Sequence, residues 1–450
     1  MQASKFRVAI CGGGIGGLVL AHSLARYPTL SVAIYEAAPK GTIYGAGIGM
    51  WPRTWEVLRK VGLAEKLKKV SLSFPAENDS LAFSFRKSDR REGIEFFNMQ
   101  GRGSMRTFHR SDFQQKLLEH IPPHYRVQYA KRLKFFSRNQ HGEVDLHFVD
   151  GSYHTCDLLV GADGIRSPTR ACVIREKVAE ARRHGRPRGE IDALEDCIRP
   201  QFSGYIAYRS VISTQRLQGT ALRPKSPVMR CPMPLKSILA YPIALGQMMN
   251  LVVFGFDREA EGSVYRGQWS EQVDASEVYN VTSFEKWEPE AQAWLECVHN
   301  PTKWAIHTVK PLPTFISHNV ALLGDAAHAF TPHQGTGAGQ AIEDAYVLAE
   351  LLGHPLTTRE AIPRTLRIYD SIRRPWVQEI AEKARLNGHC LALDYEGFDF
   401  DDASPDALAE QLRRMGGFLA DNWRWCWDSS VQESLDAAIH LLEAEWDARS

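Results

Sequence analysis

The run Gly12-Gly13-Gly14-Ile15-Gly16-Gly17 separates an apolar segment, Phe6 to Cys11, from a helix-like segment reaching Tyr27. A second apolar stretch, Ser31 to Glu36, follows, so the chain opens as strand, glycine turn, helix, strand. Gly12, Gly14 and Gly17 fit the spacing G-x-G-x-x-G, which allows a tight turn, close approach of a pyrophosphate to backbone, and close helix–sheet packing. The helix N-terminus adds N–H donors and partial positive charge for phosphates. Glu36 lies 36 − 17 = 19 residues after the last glycine, where a carboxylate accepts hydrogen bonds from ribose hydroxyls. A glycine turn alone also serves as a packing device. Set after a strand and before a helix, with Glu36 in place, it points to dinucleotide binding in an α/β, Rossmann-like domain.

The 450 residues exceed one such domain, and 44% hydrophobic with 24% charged residues suits a sizeable core. Lys+Arg 54 against Asp+Glu 53 leaves a net charge of +1, which argues against a nucleic-acid partner. The 8 cysteines are scattered without a CxxC pair, as expected of reduced thiols and not of a disulfide framework or a metal site. Lys5 and Arg7 precede an apolar stretch that superficially resembles a secretion signal, but the glycines interrupt it. No stretch approaches the ~18 uninterrupted apolar residues of a membrane span. The expectation is a cytoplasmic protein without membrane attachment, monomeric or homodimeric.

Periodicity predicts helices over Thr54 to Val70 and Arg110 to His120, and mixed strands over Ser71 to Gly103, where Leu81, Phe83 and Phe85 alternate. Arg126 to Val160 reads as a β-meander. The charge-rich run Arg175 to Glu190, carrying Gly and Pro, reads as a solvated surface loop or mobile excursion. Gly204 to Ser213, Ile238 to Pro242 and Gln247 to Phe256 are strand-like and suggest a sheet-based second domain. Beyond Ile362 the chain is mostly helical, with a terminal helix pair over Asp421 to Trp446. Trp423, Trp425 and Trp427 invite comparison with a W-x-W-x-I-P motif, but no Ile-Pro follows and core packing is the better reading.

The chemistry concentrates in NVALLGDAAHAFTPHQGTGAGQAIEDA, Asn319 to Ala345. An apolar run ends at Gly324-Asp325, a loop rich in Gly, Ala, Pro and His follows, and a helix starts near Ala338. A carboxylate, a histidine and a helix's positive end thus fall within a short span, which suits an electron-rich cofactor ring beside a reactive substrate. Asp163, in GADGIRSPTR, similarly follows the strand Asp157 to Val160. Each aspartate can receive hydroxyl hydrogen bonds or simply hold a turn.

The set GGGIGG, GADGIRS and GDAAHAFTPHQGTGAG resembles the group A flavin-dependent aromatic hydroxylases, of the para-hydroxybenzoate hydroxylase fold, over nearly the whole chain. GAGIGMWPRTWEVLRKVGL, HRSDF (His109 to Phe113), TPHQG and the tryptophan-rich C-terminus look closest to salicylate hydroxylases of fungal type. The resemblance implies a Rossmann-like FAD-binding domain in three parts (1–75, 105–190 and 304–385), an interleaved β-sheet substrate domain in two (76–104 and 191–303), and a C-terminal helical region (386–450). It implies non-covalent FAD, reduction by NADH or NADPH, O2 as co-substrate, and attack of a flavin C4a-hydroperoxide on an activated small phenol. Gly12, Gly14, Gly17 and Glu36 would hold the ADP half. Arg53 and Arg110 would contact phosphate or linker atoms, and Asp325 the ribityl chain. Asp163 would serve FAD and nicotinamide entry indirectly, and Gly337 and Ala338 would present N–H groups to the flavin pyrimidine.

His333 matches the family's base candidate. A histidine titrating near neutrality suits a phenol, the alternative being a loop-stabilising role. His328, closer to the buried strand end, is the weaker candidate. Arg209 and Tyr241 match residues that orient a phenolate in related dearomatising hydroxylases, and a guanidinium there would lower the phenol's pKa. One departure concerns the carboxylate. Bacterial salicylate hydroxylases tend to carry an arginine shortly after the Tyr-Pro pair, whereas Ile243 and Ala244 stand here. Arg230 and Lys236 are alternative partners. The expected reaction is decarboxylative hydroxylation of salicylate to catechol, with another phenol, of resorcinol or polyketide type, as the alternative substrate. A non-catalytic protein sharing the nucleotide-binding fold is the rival from another class.

Overall fold

The computed structural model describes residues 4–42, 47–73, 79–103, 105–217, 228–233, 235–282, 287–398, 400 and 404–447. Its first layer is a six-stranded sheet ordered Ile316–Ser317, Val320–Leu322, Leu158–Gly161, Phe6–Cys11, Leu30–Tyr35, Arg126–Gln128. Val8 faces Val32 on one side and Leu158 on the other in parallel register. Leu159 pairs with Val320. These short strands are apolar on both faces because the helix Ile15–Leu24 covers one side and the three-stranded meander Leu133–Arg138, Val144–Phe148, Tyr153–Cys156 packs on the other, with the Tyr35 ring 4.9 Å from that of Phe148. The helix Ile15–Leu24 is buried along its whole length and packs on the helix Gly337–Gly353. A Cβ on Gly16 would lie 3.1 Å from that of Ala341, so the missing side chain sets how closely the two helices approach.

The second layer is an eight-stranded sheet ordered Ser270–Gln272, Thr302–Thr308, Gln201–Ser213, Met248–Phe256, Lys236–Ile243, Val228–Met233, Asp79–Lys87, Ile94–Arg102. Strand alternation divides its faces. Tyr208, Ile238, Ala240, Leu251 and Val253 pack with Trp287 and Trp294 under the helices Ala275–Thr282 and Pro289–Glu296. The intervening residues Arg209, Leu239, Tyr241, Asn250, Val252 and Phe254 line a cavity on the other face. The helix Pro405–Trp423 buries Leu412, Met415, Leu419 and Trp423 against Phe83, Phe85 and Met99. The C-terminal region therefore joins the core of the second layer.

Four expectations change. The charged run 175–190 is helical: Pro168–Arg183 is one helix and Arg188–Asp196 another. Val173, Ile174 and Val178 bury one face of the first, Ser167 caps it by accepting from the Arg170 N–H, and Gly185 at φ +64° ends it. Its charges form pairs such as Lys177–Glu180 at 3.1 Å and Arg182–Glu195 at 2.5 Å. Thr54 to Val70 is two helices, Pro52–Lys60 and Ala64–Lys68, broken at Gly62, where φ is +77°. The strand Thr302–Thr308 pairs with Gln201–Ser213, so the large sheet runs past residue 303. The terminal pair begins earlier than Asp421, as Pro405–Trp423 and Val431–Asp447. Among the described residues no helix is long and apolar enough to cross a membrane, and no cluster of His, Cys, Asp and Glu could hold a metal ion.

Candidate active site

The glycine turn divides its labour. At Gly12, φ is +120° and a Cβ would sit 2.0 Å from the Ala162 carbonyl oxygen. A Cβ on Gly17 would sit 2.0 Å from the Gly12 carbonyl oxygen. Those two positions are glycine because backbone crowds them, whereas Gly14 has nothing within 4 Å and faces a cleft. The Glu36 carboxylate accepts from the Gly13 N–H at 2.6 Å and the Ala38 N–H at 2.7 Å, and so closes the turn it faces. Each oxygen keeps a lone pair for a further donor. Glu36, Gly13, Gly14 and Arg110 line a cavity of about 580 Å3. Gly14 and Arg110 also line a second cavity of about 390 Å3, so the two form one elongated cleft.

The second cavity gathers Asp325, His333, Gly337, Ala338, Arg110, Arg209 and Tyr241. Asp325 is exposed at the end of the strand Val320–Leu322. Gly337 and Ala338 open a 17-residue helix with no side-chain cap, so its first turn faces the cavity with its donors. The turn before it is fixed from two ends of the chain: the indoles of Trp51 and Trp423 each donate to the Gln334 carbonyl at 3.1 Å. Trp423 thus has a second role beyond core packing.

His333 lies between the rings of Tyr205 at 4.3 Å and Phe254 at 5.1 Å, and neither ring nitrogen has a hydrogen-bond partner. Burial, with a smaller contribution from His389, pushes its pKa down to about 3. The imidazole is therefore the neutral base throughout the neutral range, in place of a group titrating near pH 7. Burial also lowers the pKa of Arg209, whose Nε has no partner. Burial raises the Tyr241 hydroxyl to about 12 against the pull of Arg209, so it stays a protonated donor. No motif marks Asn250. It accepts from the Gly47 N–H at 3.2 Å and sits on the same sheet face as Arg209 and Tyr241. Strand alternation from Val252 and Phe254 is the signal that marks it.

Gly12, Arg53 and Asp163 line neither half of the cleft. Arg53 is buried, with Nε 3.2 Å from both Glu343 oxygens, its guanidinium 4.4 Å over Trp376, and Nη1 donating to Ser429 at 2.7 Å. It belongs to an internal ion network. Asp163 accepts from the Thr169 N–H at 3.1 Å and its hydroxyl at 2.6 Å, which fixes the loop beside Gly12. Burial raises its pKa. His328 donates from Nε2 to Asp344 at 2.5 Å and serves the same network as Arg53. Lys236 starts a strand away from the cavity lining, and the Arg230 side chain lies outside the described residues. After Pro242 the chain enters a tight turn, with Ile243 buried and Ala244 at φ +49°, so no cation follows there.

A family model described as FAD binding domain matches residues 5–231 and 268–384. The chain is 33% identical to a salicylate hydroxylase of Pseudomonas putida, over 100% of this chain and 97% of that one. It is 32% identical to the FAD-dependent monooxygenase str9 of Strobilurus tenacellus, over 98% of each. The solved structure of a salicylate hydroxylase substrate complex superimposes with a TM-score of 0.80 at 28% identity, covering 97% of this chain and 98% of that one.

Proposed function

Because the chain belongs to the FAD-binding-domain family and is an FAD-dependent monooxygenase of salicylate hydroxylase type, we propose that it converts salicylate to catechol by decarboxylative hydroxylation. The observation that carries this reading is one cavity in which a half-buried guanidinium, a protonated tyrosine and a neutral imidazole converge: Arg209, Tyr241 and His333. A small anionic phenol meets all three needs. FAD, when bound, would supply the electrophilic oxygen, with NADH or NADPH as the reductant and O2 as co-substrate.

The residues present fit that cofactor. Gly14 leaves backbone open to a pyrophosphate, Glu36 keeps lone pairs for ribose hydroxyls, and Asp325 can accept from the ribityl chain. Gly337 and Ala338 would offer N–H groups and a helix's positive end to the part of the flavin ring that gains charge on reduction. Arg110 adds a cation where the two halves of the cleft meet. Gly12→Ala is expected to purify colourless, because its Cβ collides with the Ala162 carbonyl and the turn must open. Full flavin absorbance in that variant would contradict the account of the turn.

On the substrate side, Arg209 pairs with the developing phenolate and holds the ring's orientation. Tyr241 donates a hydrogen bond to the same oxygen or to the carboxylate. His333 offers the phenol hydroxyl a nitrogen without a competing protein partner, and with its pKa pushed down to about 3 it accepts a hydrogen bond there and does not take up the proton, which passes to water as Arg209 stabilises the phenolate. Phe83, Met105, Leu239 and Phe254 exclude water around the reacting carbon.

The depressed pKa of His333 carries a stability signature. Between its ordinary value of 6.5 and about 3, the unfolded chain holds a proton that the folded chain does not. Its contribution therefore rises with pH across that window and is lost as pH falls. His333→Asn is expected to remove about one proton from the pH dependence of urea unfolding between pH 4 and 6. An unchanged slope would place the imidazole in a solvated setting.

A panel of phenols tests the reaction, scoring NAD(P)H oxidation together with product identity. Salicylate should give catechol coupled to NAD(P)H consumption. If salicylate yields only peroxide while a phenol without a carboxylate is hydroxylated, the salicylate assignment fails. The apolar lining favours the second reading, a larger phenol of resorcinol or polyketide type, in that case.

A further inference from the structure

A third cavity, of about 160 Å3, lies behind Phe330 and Thr331, and those two residues also line the catalytic cavity. A space of ~150 Å3 accommodates benzene, whereas one water accounts for ~30 Å3, so this chamber matches a single aromatic ring. Leu312, Ala327 and Phe330 make part of its wall apolar, and Ala381 of the helix Ile362–Leu391 lines it too. Two polar atoms of its lining residues lack a protein partner, the Thr331 hydroxyl and Nδ1 of His328, and the residues are 3% and 5% exposed. Buried polar atoms are normally matched by protein, water or ligand.

The unmatched pair specifies a ligand group. His328 Nε2 is committed to Asp344 at 2.5 Å. Burial opposes ionisation of Asp344, but His328 and Arg373 hold its pKa down at about 2, so it remains an acceptor. Nδ1 is left without a partner, and a hydroxyl can both donate to a ring nitrogen and accept from one. The charged groups of the lining are already paired: Lys310 with Asp196 at 3.0 Å and Arg385 with Glu382 at 3.1 Å. Neither cation is left over for an anionic acid, in contrast to Arg209 in the catalytic cavity.

We propose that this chamber binds a neutral one-ring phenol, its ring against Phe330 and Leu312 and its hydroxyl on Thr331 and His328. Such a molecule is the class that decarboxylative hydroxylation releases, so the chamber is a product-side station next to the site of reaction. The proposal rests on the proposed function for that role alone, since recognition of a neutral phenol follows from the chamber itself.

The FAD-loaded protein titrated with 4-fluorophenol and followed by fluorine NMR tests it. Two bound resonances are expected, one in each cavity. Saturating salicylate should displace the catalytic one and leave the other. Ala381→Phe, which fills the chamber, should abolish the survivor, and Ala381→Leu, a gentler filling, should weaken it about tenfold. Flavin content reports whether each variant is folded. If no resonance survives salicylate in the wild type, or the survivor is unchanged in both variants, the chamber is not a phenol site. If salicylate displaces neither resonance while one still depends on Ala381, the chamber stands and the salicylate assignment falls.

Discussion

Arg209→Gln is expected to bind FAD normally and to lose kcat/KM for hydroxylation about 10²- to 10³-fold, the range seen when one charge-stabilising donor is removed from a dry site. Arg209 is a cation lining the catalytic cavity, its Nε has no protein partner, and Tyr241 stands close enough to feel its charge. The apolar faces of Leu239 and Phe254 keep the local dielectric low, so its attraction for a phenolate exceeds that of an exposed pair. Glutamine retains hydrogen-bonding capacity and shape but not charge. Anaerobic flavin reduction in the absence of substrate should therefore be unchanged, and NADH consumed in its presence should appear mainly as peroxide. The reading comes from steady-state rates with product quantified. Coupled turnover within threefold of wild type would remove Arg209 from substrate activation.

Arg373→Met is expected to destabilise the fold by about 3–5 kcal/mol, the cost of stripping one partner from a buried ion pair. Arg373 is fully buried, with Nε 2.8 Å from Asp344, Nη1 3.3 Å from Glu343 and Nη2 2.8 Å from the Gln340 side-chain oxygen. Asp344 also accepts from the Gly324 N–H at 3.0 Å and from His328. The network therefore joins the strand end before Asp325 to the helix beginning at Gly337 and the helix Ile362–Leu391. Methionine fills most of the volume yet leaves Glu343 with Arg53 alone as a cation and Asp344 with only His328 and the Gly324 N–H. Denaturant unfolding of the FAD-loaded protein measures the effect. A loss below ~1 kcal/mol would mean that water or protonation rescues the carboxylates.

The sequence made some of this legible because local rules coincided with the fold. The apolar run Phe6–Cys11, the glycine turn and Glu36 fall where the pattern predicts, since a parallel central strand is apolar on both faces and its turn tolerates little but glycine. The charged run after Arg175 reads as a loop by its charge density, although the spacing of Val173, Ile174 and Val178 marks a helix face. Arg53 is a different case. Its partner, Glu343, lies 290 residues away, and no local pattern distinguishes an arginine held by a buried carboxylate from one facing a phosphate. Trp423 is a similar case: the C-terminal helix returns its indole to the Gln334 carbonyl, 89 residues earlier in the chain. Long-range pairing of this kind has no short motif.

The cavity's chemistry was legible as residue types but not as protonation states. His333 reads as a neutral-pH base until burial between Tyr205 and Phe254 is known, and that burial makes it a free acceptor instead. The substrate domain's alternation is what brings Arg209, Tyr241 and Asn250 to one face, with Tyr208, Ile238 and Leu251 turned to the opposite core.

The most direct test of the central claim is product stoichiometry under 18O2 with carboxyl-13C salicylate. Salicylate, NADH, O2 and two protons should give catechol, CO2, NAD+ and water, with one 18O in each catechol and one 13CO2 per catechol. Catechol without 18O, or a hydroxylated product that keeps its 13C carboxylate, would contradict decarboxylative hydroxylation by this chain.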